Sequence, residues 1–555
     1  MLQARAVPDA APTAPPPPTA APRPTRSRSG ALAVAAGILL SRLAGFVRER
    51  ALAHYLGNSM ASGAFRAALR IPNLLQNLLG EGVLSASFIP VYARLLAEGR
   101  VDEARRVART VATLLALVAS LLTLVGILAA PWVIDVLAPG FHGEVRALTV
   151  RLVRILFPGA ALVVLSAWCL GVLNSHRRFF LSYASPVLWN TALVTVAVGF
   201  GGRLVGHPGG QSDLAVYLAW GAVAGSGLQL LVQLPTVFSL TRSLAPLLAV
   251  KAAGVRKTLR AFGPVVMGRG SVQVSSYLDQ LLASYLGPAM VSAMAYAQIL
   301  FLLPISLFGM SISAAELPEM SSAHGTPEEV GVKLQARLGG GLRQVVFLVA
   351  PSVVAFFAIG PTLVAAIFQT GRFGARDTHE VWLILCGSAI GITAGAMGRL
   401  LSSAFYALHD TKTPLYAALW RVSLTFIAGW AVTLPLRAHY GYAAVWGAVG
   451  LTASAGAASW LELSLLRFWL GKKIGAVKLP AGLMARAFGC AAVAGGAGFA
   501  AQRALGHAGP WVRAAAVVPL YCGIYLALTL ALRIPEANAF MARVRRKLGR
   551  PAKAG

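Results

Sequence analysis

The chain has 555 residues, of which 57% are hydrophobic and only 12% charged, with a mean hydropathy of +0.68. A soluble fold has no interior large enough to hide that much apolar surface, so the composition excludes a soluble multidomain enzyme and requires a bilayer. The net charge of +30 does not signal nucleic acid, since no base-reading or stacking module accompanies it; Lys and Arg gathered in cytoplasmic loops give such totals in membrane proteins.

Residues 1–30 are rich in Pro and Ala, carry Arg5, Arg23, Arg26 and Arg28, and read as a disordered basic cytoplasmic tail. The apolar run that follows is too long for a signal peptide and lacks a cleavage site. A helix that crosses the hydrocarbon needs about twenty mainly apolar residues, and about fourteen stretches qualify. They begin near Ala31, Ala64, Val107, Ala147, Ser182, Leu214, Phe262, Val291, Val345, Val381, Pro414, Tyr442, Leu483 and Trp511. Every second loop is basic. Arg94, Arg100, Arg105, Arg106 and Arg109 follow the second span, Lys251, Arg256, Lys257 and Arg260 the sixth, and Lys472, Lys473 and Lys478 the twelfth. The intervening loops are poorer in Lys and Arg, which predicts that both termini are cytoplasmic. The four cysteines, Cys169, Cys386, Cys490 and Cys522, stand far apart in apolar runs and read as small core residues.

The chain repeats itself. LAHYLGNSMAS, Leu52 to Ser62, and LASYLGPAMVS, Leu282 to Ser292, agree at seven of eleven positions at a separation of 230 residues. The same offset pairs Glu49 with Asp279, and VLWN ending at Asn190 lies roughly opposite ALWR ending at Arg421. The expected fold is therefore an all-α polytopic membrane protein: two parallel six-helix lobes around a central cavity, plus two extra C-terminal helices. The lobes occupy 31–240 and 262–470, joined by a basic cytoplasmic linker at 241–261. Residues 471–534 form the two-helix appendage and 535–555 a second basic cytoplasmic tail. Such lobes are a transporter architecture.

Arginines in the first two spans point to the ligand. Each costs about 2.5–3.5 kcal/mol in mid-membrane, so each is expected to face a partner or a wet cavity. Span one holds Arg42, Arg48, Glu49 and Arg50; span two holds Arg66, Arg70, Asn73, Asn77 and Glu81. Arg50 is expected to snorkel to the outer interface and Glu49 to neutralise Arg48. That leaves Arg42, Arg66 and Arg70 in excess over carboxylates, which suits an anion, and guanidinium matches phosphate in a planar two-bond geometry. Pro72, Gly80 and Gly82 in span two allow it to bend. In the second lobe Asp279, with Ser275 and Ser276, is a candidate cation site or a salt-bridge member. No catalytic constellation, metal-ligand spacing or phosphate loop is present in the sequence, and HDTKT at His409–Thr413 reads as a capped tight turn.

These segments resemble the MurJ (MviN) family of lipid II flippases, within the multidrug/oligosaccharidyl-lipid/polysaccharide exporter superfamily. The matching strings are SRLAGFVRE (Ser41–Glu49), RIPNLLQNLLGEG (Arg70–Gly82), SFIPVYARL (Ser87–Leu95), APWVIDVLAPGF (Ala130–Phe141), FQTGRF (Phe368–Phe373) and AFYALHDTKTP (Ala404–Pro414). The resemblance implies a non-enzymatic transporter of the bacterial cytoplasmic membrane. It would move undecaprenyl-pyrophosphoryl-disaccharide-pentapeptide from inner to outer leaflet by alternating access, reset by membrane potential or a monovalent cation gradient. Arg42, Arg48, Glu49, Arg70, Asn73 and Glu81 match the family's pattern. Three positions depart: Gly63 where the family usually has Asp, Gln76 where it has Arg, and Ile299 where it has Arg. Arg66 and Arg269 restore positive charge if their side chains point into the cleft. Altered cavity charge also fits a paralogue carrying another polyprenyl-linked glycan, or a non-transporting scaffold whose partners are envelope-assembly proteins.

Overall fold

A computed structural model describes residues 28–547 apart from positions 205, 244 and 323. The first half comprises α1 (Arg28–Leu56), α2 (Met60–Leu79), α3 (Glu81–Ser87), α4 (Ile89–Ala97), α5 (Val101–Leu137), α6 (Gly143–Ser175), α7 (Phe179–Ala184), α8 (Pro186–Leu204) and α9 (Gly210–Thr241). The second begins with α10 (Ala253–Ser284), α11 (Pro288–Pro304), a π-helical segment (Ile305–Met310), α12 (Ser311–Ser321) and α13 (Pro327–Ala358). It continues through α14 (Gly360–Phe368), α15 (Ala375–Ala389), α16 (Ile392–Ala407), α17 (Lys412–Thr433), α18 (Pro435–Tyr440) and α19 (Ala444–Ile474). Then come α20 (Ala481–Ala504), α21 (Pro510–Ala531) and α22 (Pro535–Lys547).

Among the described residues eleven helices or joined helices are long and apolar enough to cross a membrane, and α15 with α16, bent by 42°, makes a twelfth. Fourteen were expected. The first and seventh expected spans fall in α1 and α10, 29 and 32 residues long, which are not among that set. α10, which holds the seventh expected span, starts at Ala253, inside the segment expected to be linker, and residues 535–547 of the expected tail form α22. The tail at 1–27 lies outside the described residues.

The duplication is visible in the helix order. α6 opens at Gly143 and α15 at Ala375, and α9 at Gly210 and α19 at Ala444. Each half has its own packed core, and another is shared. Leu52, Leu56, Phe65 and Ala68 of the first half pack with Leu282, Ala283, Val291 and Leu451 of the second. Where lipid removes the hydrophobic drive between helices, close approach of small residues does the work. Gly63, Ala64, Ala67 and Ala68 supply it on α2, all buried. α20 and α21 rest against α13 and α14 of the second half. All four cysteines are free; Cys169 and Cys490 are buried and Cys386 half-buried, but Cys522 is exposed on α21 instead of core.

Candidate functional site

Two hollows, of about 360 and 320 Å³, adjoin α2, the first toward the second half and the other among first-half helices. Arg66, Leu69 and Asn73 line both; their spacing of three and four puts them on one face of the helix. The two hollows thus meet along that face of α2; one is enclosed among first-half helices, and the other lies between α2 and the second half, where the central cavity was expected.

On the first-half side, Glu49 is 7% exposed and receives two guanidiniums. Arg48 Nη2 donates to Oε1 at 2.5 Å and Arg66 Nη2 to Oε2 at 2.9 Å. Arg48 Nη1 donates to Asn190 Oδ1 at 2.8 Å, and its guanidinium lies 5.0 Å over the Trp189 ring. Asn190 is itself oriented by α8, since its Nδ2 donates to Pro186 O at 3.0 Å and leaves the oxygen for arginine. Arg66 also lies 4.0 Å over the Tyr296 ring, and its buried Nε has no hydrogen-bond partner among the described residues. Two cations share one carboxylate, so this side keeps a positive excess.

On the second-half side, Arg70 Nη1 donates to Gln280 Oε1 at 3.3 Å, and Asp279 stands within electrostatic reach of Arg70 and Arg421. Arg421 Nε is 2.9 Å from Glu462 Oε2, and Arg399 lies near that pair. Gln280, Gln298, Ser388, Thr452 and Ser459 supply neutral hydrogen-bonding groups to the same wall. Around the two hollows together, Arg48, Arg66, Arg70 and Arg421 stand against Glu49 and Asp279.

The structure brings Arg48, Glu49, Arg66, Arg70, Asn73 and Asp279 to this region and leaves others out. Arg42 is exposed on α1 and lines neither hollow. Glu81 lies beyond the break at Gly80 in a separate open pocket with Gln76, Asn77, Gly82 and Ser85. The side chains of Arg269, Ser275 and Ser276 lie outside the described residues. Arg50 does not snorkel: its Nη1 donates to Ala366 O and Ile367 O at 2.9 and 2.7 Å, capping the negative end of α14. Asp410 accepts from the backbone N–H of Lys412 and Thr413, both at 3.0 Å, so HDTKT is the capped turn expected. Arg421, Gln280, Trp189 and Asn190 went unread as site residues, although the VLWN and ALWR strings contain three of them.

Local packing accounts for two of the departures. A Cβ at Gly63 would stand 2.0 Å from Pro288 O, so α2 and α11 approach closely only over glycine. Ile299 packs against the second-half core, while its neighbour Gln298 faces the hollow. Gln76 lines the first-half hollow as a neutral group.

One end of the two halves is clasped above these hollows. Ser62 and Ser292, equivalent in the repeat, share a hydrogen bond at 2.7 Å. The His54 ring bonds Thr370 Oγ1 at 2.8 Å, and Arg372 N–H donates to His54 O at 2.8 Å. Reciprocally, Gly140 N–H donates to Ser284 Oγ at 3.0 Å. Gly371, at φ +54°, lies so close to His54 that a Cβ would come within 2.4 Å of its carbonyl.

A family model described as "Lipid II flippase MurJ" matches residues 52–511. A "Lipid II flippase MurJ" of Burkholderia cenocepacia is 33% identical over 449 residues, covering 80% of this chain and 83% of that one. A "Probable lipid II flippase MurJ" of Buchnera aphidicola is 28% identical over 390 residues, covering 70% and 74%. A solved structure of a lipid II flippase MurJ in an inward closed conformation superposes with a TM-score of 0.72 at 19% identity, over 90% of this chain and 99% of that one. An inward-facing multidrug resistance MATE family transporter gives 0.59 at 16% identity, over 81% and 99%.

Proposed function

The chain belongs to the MurJ family of lipid II flippases, and we propose that it moves lipid II from the inner to the outer leaflet of the bacterial inner membrane, which it crosses many times. It is a transporter and not an enzyme. The observation that carries the reading is the excess of guanidinium over carboxylate in the wall between two adjoining hollows. A pyrophosphate presents several acceptor oxygens to planar N–H pairs, and charge-assisted bonds of this kind are roughly twice as strong as neutral ones. Arg48 and Arg66 grip it from the hollow among the first-half helices, and Arg70 of α2 and Arg421 of the second half approach from the hollow between the halves. Glu49 holds the first pair apart from its own repulsion, and Asn73 and Gln298 offer hydrogen bonds to the glycan. Arg42 and Glu81 have no part in this grip.

The basic loops support cytoplasmic termini, a reading in which the clasp at Ser62 and Ser292 closes the outer end. Asp279 stands within electrostatic reach of Arg70 and Arg421, which supports a polar helix contact over a cation site. The membrane potential, worth roughly 2.3 kcal/mol per charge per 100 mV, is then the natural source of reset. The test is expression in a bacterium depleted of its own flippase. The chain restores growth, and Arg48→Ala abolishes the rescue at equal protein level. Rescue that survives both Arg48→Ala and Arg66→Ala would favour a scaffold and sink the transport reading.

A further inference from the structure

Helix α22 is amphipathic. Its large apolar positions, Phe540, Met541 and Val544, fall with Ala537 within about 100° of arc, and Arg546 falls opposite them, beside the small Ala539 and Ala542. The apolar side is seated: Ile534 and Ala537 are fully buried, and the Phe540 ring sits 6.5 Å from that of Phe347 on α13. An ion pair between Arg343 of α13 and Glu536 fastens its first turn. Phe540 still leaves 40% of its surface open, at the flank of the helix.

The opposite side is a basic surface. Arg546 lies there, Arg545 at the edge of the apolar stripe and Arg533 in the turn before the helix; all three are exposed, and none forms an ion pair among the described residues. Neighbouring elements extend it. Gln335 Nε2 donates to Ile474 O, which brings the start of α13, with exposed Lys333 and Arg337, beside the end of α19, with exposed Lys472 and Lys473. Three nearby carboxylates are committed, Glu536 to Arg343, Glu319 to Arg337 and Asp410 to Lys473, while Glu328 and Glu329 stand at the first turn of α13.

We propose that α22 is an interfacial helix whose exposed arginines bind the headgroups of anionic phospholipids in the leaflet beside it. The helix follows directly on the membrane-spanning α21, which fixes it at headgroup depth. A basic amphipathic helix with a half-exposed aromatic flank suits that boundary: the ring reaches the acyl region while guanidiniums meet phosphate. This inference is independent of the cargo the hollows carry.

The test uses the full chain, purified in a neutral detergent and titrated with phosphatidylglycerol, phosphatidylcholine or inorganic phosphate, with retained lipid counted by native mass spectrometry. Phosphatidylglycerol is retained and phosphatidylcholine is not. The double substitution R545Q/R546Q weakens retention about thirtyfold with an unchanged melting temperature, since each basic group at a membrane surface is worth about fivefold. The pair R94Q/R100Q, an equal change of charge elsewhere, leaves retention intact. Equal loss in both pairs would reduce the effect to net charge and overturn the assignment. So would displacement of phosphatidylglycerol by millimolar phosphate, which would mark a small-anion site.

Discussion

At the scale of single residues, Glu49 decides whether the first-half hollow is stable. It is the one acceptor shared by Arg48 and Arg66, and breaking a buried pair by removing one partner costs about 3–5 kcal/mol. Glu49→Gln is therefore expected to lower the melting temperature sharply in detergent. Arg66→Ala costs less, because Arg48 still answers the carboxylate. The reverse ranking would show that Glu49 is not the keystone. Much of this cluster was legible, because charges inside apolar runs stand out and two arginines with too few acids announce an anion. Helix phase was not legible. Arg42 and Arg48 lie six positions apart, roughly 240° around a helix, so one faces outward while the other enters the hollow. Arg421 escaped notice because its partner Glu462 and its neighbour Asp279 are distant in sequence. The constraint at Gly63 comes from a backbone oxygen on another helix, which no local pattern reports.

At the scale of elements, the turn between α16 and α17 is held by Asp410. Besides the two backbone N–H groups it accepts from Thr413 Oγ1 at 2.6 Å and from Lys473 Nζ at 2.7 Å. Burial alone would raise its pKa, but the bonds from Lys473 and Thr413 outweigh that and hold the carboxyl well below the usual range. A carboxyl whose folded pKa is depressed stabilises the fold above the unfolded pKa, about 4, and loses that contribution as pH falls below it. Asp410→Ala should thus cost about 1–2 kcal/mol at neutral pH, as for a lost helix cap. The gap from the unsubstituted chain should narrow as the buffer is taken below about pH 4. A gap that stays constant with pH would mean that the charge of Asp410 contributes nothing. The sequence disclosed this turn through Asp, Thr and Pro, whereas the break of span two at Gly80 showed only as a glycine. That break ends α2 before Glu81, which opens α3.

At the scale of the whole molecule, the two halves meet through equivalent positions. Ser62 and Ser292 stand 2.7 Å apart at the clasped end, so cysteines at both places bring their sulfurs within bonding reach. The pair S62C/S292C should cross-link under mild oxidation, stop lipid II transport and regain it on reduction. Undiminished transport by the fully cross-linked chain would refute a cycle that opens at this end. The two lobes and the offset of 230 were readable from the repeat. The hollow enclosed among first-half helices was not, because it depends on how α2 packs against α1, α6, α8 and α9.

The junction of the halves sets a limit on how alike they can be. Near a twofold axis each position confronts its own counterpart, as Ser62 does. One turn further along α2, the counterpart of Arg66 is Tyr296, and the two are stacked at 4.0 Å. Had both copies kept arginine there, two like charges would face each other at about 4 Å in a poorly screened setting. Tyrosine converts that repulsion into attraction and gives the junction a head and a tail. Perfect twins would therefore be unable to keep a cation on their common axis, and a headgroup captured there has a single preferred way round.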